Sequence, residues 1–438
     1  MKKNILRTVI ALLAATMMVG CGSSNDEEDG PVTVTSPEDP TATPESPETP
    51  KTPATLALTD AEQQLVLGSN DFAFNLFREA RDDEHSLVLS PLSITCDLGM
   101  LLNGATGETL EQILRTLCFE SRDDVNNFCY KMKNLATILD EQTKVLMANT
   151  IFVNRDRGYE LLQSFTSLAA AFYDADLQTR SFGDGKTLDA INQWASDHTE
   201  GMIEKVLSEE EFHPSSISYL LNALYFKGIW TTKFDKEQTK SEQFGSDGSE
   251  KEPTYKPMMH QEGPFFYSDD DNCQMLQMPY GNGSFLMTIL LPSKGTNIGS
   301  VLQGLTQQRW QQMTRQMRPY PVDVKFPSFE SSTNLDLVDV MKKLGMTNAF
   351  MQDKAEFPLF CTSPEPVFIS LMKQVAKIKL DEEGTEASAV TVIGMADSAD
   401  PGSEVPEVKT FYADRPFFYV ISEQSSGVIF FIGQYMGD

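Results

Sequence analysis

Residues 367–405 constrain the fold more than any other stretch of this 438-residue chain. Phe368 to Leu380 follows a long strand pattern. Gln374, Ala376, Ile378 and Leu380 share one face, and Lys373, Lys377 and Lys379 share the other. Gln374 therefore points to the apolar side, where its amide needs buried polar partners. Asp381-Glu382-Glu383-Gly384 then signals a turn. Residues 385–393 follow without a proline, and Thr385, Ala387, Ala389 and Thr391 make one face small throughout. A strand with one small face can slide between two existing strands at little steric cost, and without proline it can donate every N–H to a ladder. Residues 394–405 are rich in Gly, Asp, Ser and Pro and read as an exposed loop. A strand-competent segment is thus tied to a loop, although an ordinary hairpin arm has the same propensities.

The rest of the chain is neither repetitive nor regularly alternating. Residues 60–80 read as a helix ending in charges. Leu110, Ile113, Leu114 and Leu117 fall at i, i+3, i+4 and i+7, which predicts an amphipathic helix over 107–118. Thr106 is placed to cap it and Glu108 suits its first turn. Further helical patterns cover 122–140, 160–172, 186–200 and 334–344. Val145–Val153 and Ile217–Phe226 are mostly apolar, as central strands are. Val322, Val324 and Phe326 alternate with Asp323 and Lys325 as in a half-buried strand, and Phe285–Leu291 and Val428–Ile432 are near-continuous apolar runs. Helices come first and strands mainly later, which predicts an α+β fold with large mixed or antiparallel sheets.

The N-terminus reads as a targeting region. Lys2, Lys3 and Arg7 precede a short apolar run, Ile10 to Val19, too short to span a bilayer stably. Met18-Val19-Gly20-Cys21 resembles the lipobox of bacterial lipoproteins, which implies cleavage before Cys21 and its lipidation. Residues 1–21 are then a signal peptide. Residues 22–56, rich in Pro, Thr, Ser and Glu, form a disordered tether, and 57–438 form one folded domain. Asp26-Glu27-Glu28-Asp29 is similar to the surface-export tags of some outer-membrane lipoproteins; a solvated linker has the same composition. The expected location is the outer membrane, at the cell surface or periplasmic face, with the extracellular side favoured. Membrane attachment is expected only through the lipid on Cys21.

Composition narrows the function. Lysine and arginine number 35 against 63 acids, a net charge of −28. Such a field repels nucleic acid, and no Lys/Arg cluster offsets it. Cys96, Cys118, Cys129, Cys273 and Cys361 are odd in number with no C-x-x-C. Cys96, Cys118 and Cys129 sit on apolar helix faces and read as small buried hydrophobes, with a Cys118–Cys129 bridge possible but not implied. His85, His198, His213 and His260 lack ligand spacing and read as surface or capped side chains. There is no G-x-S-x-G elbow and no Walker loop, and Gly281-Asn282-Gly283 reads as a turn between strands, not a phosphate cradle. No metal, cofactor or enzymatic activity is expected.

Four segments, in order, resemble the serpin family of serine-protease inhibitors. They are Leu89-Ser90-Pro91-Leu92-Ser93-Ile94, the run Asn222 to Trp230 with Phe234 beyond it, Glu382 to Ala389, and Phe411 to Phe418. Pro406-Glu407-Val408 is also similar. The resemblance covers roughly 57–438. It implies three β-sheets, about nine helices and an exposed reactive-centre loop on a metastable, monomeric inhibitor. A protease attacks the loop as a suicide substrate and forms an acyl-enzyme. The cut loop then inserts into the central sheet and drags the protease with it. Glu382, Glu383, Gly384, Thr385, Ala387, Ala389 and Thr391 correspond to the loop hinge, Trp230 to the breach at the top of the sheet, and Ser90, Ser93, Asn222 and Gln374 to the cluster controlling sheet opening. The family usually has histidine where Gln374 stands. Glutamine can both donate and accept but cannot charge near neutral pH.

Counting from Glu382 as the seventeenth residue before the cut places the reactive bond at Ser398–Ala399. The segment from Gly384 to Pro406 is about four residues longer than in a typical member, so the cut falls anywhere from Gly394 to Ser403, with Gly394, Met395 and Ala396 as the alternative. No Lys or Arg occurs between Lys379 and Lys409, which disfavours trypsin-like targets. Val392, Ile393, Met395, Ala396, Ser398 and Ala399 suit elastase-like or subtilisin-like proteases; Asp397 is less welcome there. A papain-like cysteine protease, with Ile393 as bait, is the next target. A non-inhibitory carrier or folding helper is the alternative function, and a glycan-binding lipoprotein lacks an aromatic platform.

Overall fold

Thr59 starts the first helix with a reciprocal cap: its hydroxyl accepts from Glu62 N at 3.3 Å, and the Glu62 carboxylate accepts from Thr59 N at 2.8 Å. The computed structural model describes residues 53–136, 138–245, 254–384 and 407–438. Its first third is mainly helical: α1 (Asp60–Ala80), β1 (Leu87–Leu89), α2 (Pro91–Leu102), α3 (Gly107–Leu117), α4 (Arg122–Ala136), β2 (Thr143–Asn154), β3 (Glu160–Leu161), α5 (Gln163–Tyr173), β4 (Asp176–Arg180) and α6 (Lys186–His198). Strands then dominate: β5 (Ser218–Gly228), β6 (Lys240–Phe244), β7 (Thr254–Asp269), β8 (Cys273–Tyr280) and β9 (Phe285–Pro292). After α7 (Ile298–Leu302) and α8 (Gln307–Gln316) come β10 (Arg318–Pro327), β11 (Phe329–Asp336), α9 (Val338–Lys343), β12 (Cys361–Thr362), β13 (Met372–Leu380), β14 (Lys409–Tyr412), β15 (Phe417–Glu423) and β16 (Ile429–Tyr435).

Three sheets form among the described residues. A nine-stranded sheet runs β1-β16-β15-β9-β8-β7-β10-β14, with β6 beside β7. A five-stranded sheet runs β11-β13-β5-β2-β4, and β12 pairs with β3. Nine α-helices accompany them among the described residues, so the α+β architecture is the one expected. In the five-stranded sheet β13 and β5 are parallel, although 143 residues separate the end of β5 from the start of β13. Helix α2 lies over this sheet and packs on both β2 and β5. All twelve of its residues are buried, as befits a helix without a solvent face.

Several boundaries differ from the sequence reading. Residues 334–336 belong to β11, and only Val338–Lys343 is helical. The strand expected from Phe368 begins at Met372. Residues 160–161 pair as β3 before α5 starts at Gln163, and α4 ends at Ala136. Thr106 occupies the cap position of α3 without a side-chain cap bond. Glu356 takes that role, accepting from Glu108 N at 2.9 Å. All five described cysteines are free. Cys96 and Cys129 are buried, but Cys118 is exposed, because it ends α3 in the left-handed conformation at φ 61°. Ala54 and Leu56, at the end of the expected tether, donate their N–H groups to Ser284 Oγ at 3.0 Å and Ser425 Oγ at 2.8 Å.

Candidate functional site

Register places one polar row across the apolar centre of the five-stranded sheet. Gln374 of β13 lies opposite Asn222 of β5, and Asn222 lies opposite Asn149 of β2. Over this row, α2 presents Ser90, Ser93 and Asp97, spaced i, i+3 and i+7 on one helical face. Ser90, Ser93, Asn222 and Gln374 are fully buried, and Asp97 is 1% exposed. Strand β13 is apolar on this side except at Gln374, so only α2 and β5 can satisfy the amide.

The bonds form a closed set. Gln374 Oε1 accepts from Ser90 N at 3.0 Å, and Gln374 Nε2 donates to Ser90 O at 3.1 Å and to Asn222 Oδ1 at 3.0 Å. Asn222 Nδ2 donates to Ser93 Oγ and, at 2.7 Å, to Asn149 Oδ1. Ser93 N donates to Ser90 Oγ at 3.3 Å, which caps α2. The four residues singled out in the sequence therefore meet, and Gln374 bridges α2 to the β5–β13 seam. Asn149 and Asp97 were missed. Asn149 is a lone amide inside an apolar strand, the same signal that marked Gln374. Asp97 could have been found from its spacing with Ser90 and Ser93.

At one end of the seam the ladder stops. The β5–β13 pairing covers six registered pairs, from Met372–Leu220 to Lys377–Tyr225. Beyond it, Asp381–Gly384 folds into a tight turn against the residues that follow β5. Trp230 N donates to Glu383 O at 3.2 Å, Phe234 N to Glu382 O at 2.9 Å, and Trp230 Nε1 to Asp381 O at 2.9 Å. The indole stacks on Tyr280 with ring centroids 4.3 Å apart. Thr239 Oγ1 donates to Glu382 Oε1 at 2.7 Å. Lys236 Nζ sits 2.6 Å from Glu383 Oε1, and this bond holds the Glu383 carboxyl below its usual range. Burial instead raises Asp381. Gly384 has φ +83°, and a Cβ there would lie 2.3 Å from Trp230 N. Only glycine fits that turn.

The second face of β13, which carries the three lysines, is covered in part. Lys373 is 3% exposed, and its ammonium pairs with the Glu211 carboxylate. The segment around 206–212 covers it, so a central strand here is buried on both sides. Lys379 is exposed, whereas Lys377 is half-buried and pairs with Glu330 at 2.6 Å.

Among the described residues, His260, Glu262 and Asp323 bring ligand-type atoms within 4.8 Å of one another. Asp323 already receives the Tyr412 hydroxyl and faces His260 Nε2 at 2.7 Å. The group therefore ties β14 and β7 to β10. Thr385, Ala387, Ala389, Thr391, the candidate bonds at Gly394-Met395-Ala396 and Ser398-Ala399, and Cys21 lie outside the described residues.

A family model described as "Serpin (serine protease inhibitor)" matches residues 67–437. The chain belongs to the serpin family. This serpin is 30% identical over 383 residues to Serpin B6 of Pongo abelii, covering 85% of this chain and 98% of that protein. It is 28% identical over 385 residues to antithrombin-III of Homo sapiens, covering 85% and 81%. In structure it superposes on the native state of Tengpin, a thermophilic serpin, with a TM-score of 0.78 and 26% identity, covering 88% of this chain and 96% of that one. The fold expected from the four motifs is thus the fold observed. Members of this family act generally as protease inhibitors rather than as catalysts.

Proposed function

We propose that this serpin inhibits serine-type endopeptidases as a suicide substrate, with elastase-like or subtilisin-like enzymes as targets. The observation that carries this reading is the β5–β13 seam. Two parallel strands are joined by only six registered pairs, and in the sequence the small-faced, proline-free segment 385–393 comes just after the Asp381–Gly384 turn that ends β13. Residues 385–398 supply about 46 Å of extended strand at roughly 3.3 Å per residue, enough to run the length of the 11-residue β5.

The chemistry uses the protease's own machinery. Its serine oxygen adds to the carbonyl carbon of the reactive residue, Ser398 on the hinge count. The bond to Ala399 breaks, the departing amine takes a proton from the protease's histidine, and an ester remains. The freed segment enters the seam as a new strand before water hydrolyses the ester. The absence of Lys and Arg from 380–408 supports small or apolar protease pockets. The lipobox-like Cys21 and the acidic, proline-rich stretch after it support tethering at the outer membrane, facing outward.

The test is incubation of residues 57–438 with pancreatic elastase, a denaturing gel, and mass spectrometry of the released C-terminal peptide. A denaturant-stable band at the summed mass supports covalent trapping, and the peptide's first residue fixes the bond. Cleavage without a complex by elastase, subtilisin and papain alike would sink the inhibitor reading and favour a carrier or folding helper. Labelled palmitate incorporated by the full chain and lost in Cys21→Ala tests the anchor.

A further inference from the structure

Asn222 spends both of its amide hydrogens, one on Ser93 Oγ and one on Asn149 Oδ1, while its own oxygen accepts from Gln374. Its orientation is therefore fixed, and Asn149 must turn its oxygen toward it. That same oxygen position lies 3.0 Å from Asp97 Oδ1 and 3.2 Å from Ala148 O. Two bare oxygens at 3.0 Å repel, unless the carboxyl carries a hydrogen and donates it. Rotating the Asn149 amide by half a turn lets it donate to an ionised Asp97 and to Ala148 O. It then sets its NH2 2.7 Å from the NH2 of Asn222, donor against donor. Each charge state of Asp97 thus satisfies one side of Asn149 and breaks the other.

We propose that Asp97 is protonated in the closed sheet and that its proton fixes the Asn149–Asn222–Gln374 chain holding β5 against β13, so that ionisation of Asp97 loosens the seam. The sheet-opening part rests on the inhibitor reading above; the stability part does not. Asp97 has no ion pair among the described residues, and burial alone pushes its carboxyl well above the ordinary aspartate value. The surroundings offer no competing charge. From α2 and α4 come the thiols of Cys96 and Cys129, within hydrogen-bonding reach of each other, with Cys129 held neutral by burial. From α5 comes the Tyr173 hydroxyl, which donates to Asn126 Oδ1 at 2.5 Å and is likewise held neutral by burial. Strands β2 and β5 bring Asn149 and Asn222, and the buried faces of α1 and α3 carry no titratable side chain. In β16 the titratable group is Tyr435, stacked on Phe329 away from this row.

The sign follows from linkage. The folded protein holds a proton that the unfolded chain releases above about pH 4. Stability is fully present below that value and falls as pH rises to the folded-state pKa, the folding constant dropping about tenfold per pH unit for one proton. Denaturant unfolding midpoints from pH 5 to 9 test this without any protease. Wild type should lose stability with rising pH. Asp97→Asn, whose NH2 can donate to Asn149 Oδ1 without titrating, should give a profile that lacks this decline and exceeds wild type at pH 8. Asp97→Ala should be weakened at every pH, because Asn149 loses its donor. Uptake of a synthetic peptide matching residues 385–398, followed on native gels, should accelerate with pH in wild type and not in Asp97→Asn. Identical wild-type and Asp97→Asn slopes would overturn the inference. A protein that traps no protease but shows the Asp97-dependent slope would overturn the inhibitor reading and leave this one standing.

Discussion

The indole Nε1 of Trp230 donates to the main-chain carbonyl of Asp381 at 2.9 Å, so the residues after β5 are tied to the turn that ends β13. The tie has two parts, a hydrogen bond and a stacked ring on Tyr280. Substitutions separate them. Trp230→Phe keeps most packing and loses the donor. Asp381 O retains Gly384 N at 3.1 Å, so it is not orphaned and the cost should be about 1 kcal/mol. Trp230→Ala removes a side chain 2% exposed and should cost about 3–5 kcal/mol. Denaturant unfolding checks both; equal losses would mean that the hydrogen bond, not the ring, dominates.

Gly384 packs against the main chain of residues 228–230, next to the same tryptophan. Gly384→Ala adds a Cβ against the backbone of residues 228–230 at a positive φ, and none of these neighbours is a flexible side chain that could yield. The turn should unfold locally at a cost of roughly 1–3 kcal/mol. Amide hydrogen exchange at Trp230 and Phe234 should rise in the variant, because their acceptors are Glu383 O and Glu382 O. Unchanged protection would refute this role.

The seam was partly legible in the sequence, and the reason lies in single residues. Gln374 stood out because strand alternation aimed a polar amide at an apolar face, and the structure gives it Ser90 and Asn222. Asn149 carries the same signal but was absorbed into an apolar run. Asp97 hid in a helix with no wet face, where the usual contrast between polar and apolar sides is missing. Lys373 lies on the face that alternation gives it, but its burial was not legible, because its cover, Glu211, comes from a distant segment. The 334–344 pattern was read as one helix because Leu335 and Leu337 fit either period, and pairing with β13 decides for strand up to Asp336. Cap choice at α3 was also beyond local sequence, since Glu356 arrives from 248 residues away.

Gln374→Ala should leave Ser90 N and Asn222 Oδ1 buried without partners, at about 1–3 kcal/mol each. Gln374→His places a titrating ring in the same position. The difference between its stability profile and that of wild type should inflect near the histidine pKa, about 6.5, since no histidine lies in the wild-type cluster. A difference profile without an inflection there would show that the ring placed at position 374 does not titrate within the cluster.

The segment after Gly384 can be tested without changing the described core. Ala387→Pro removes one ladder donor and fixes φ, so insertion should stall while cleavage proceeds. The expected outcome with elastase is a fall in denaturant-stable complex by more than tenfold in favour of cleaved product. An unchanged complex yield would mean that trapping does not require this segment to join the sheet.

Lys373 and Glu211 set the opposite pH limb from Asp97. The ammonium is 3% exposed and the carboxylate side chain 38%. Burial works against the Glu211 charge, but Lys373 and the Ser208 bonds outweigh it and hold the carboxyl below its usual range. A depressed folded pKa means stability that is complete above about pH 4.3 and lost as pH falls through the folded value. Glu211→Gln should therefore flatten the acid limb of the unfolding profile, whereas Asp97→Asn flattens the decline at higher pH. Glu211→Ala leaves a buried ammonium unpaired and should cost somewhat less than the about 3–5 kcal/mol of a fully buried pair, because water reaches the partner's position. Lys373→Met replaces the charge by an apolar chain of similar length and should be nearly neutral. In that background, Glu211→Ala should cost little more. A double variant as unstable as Glu211→Ala alone would show that Glu211 acts through Ser208 rather than through Lys373.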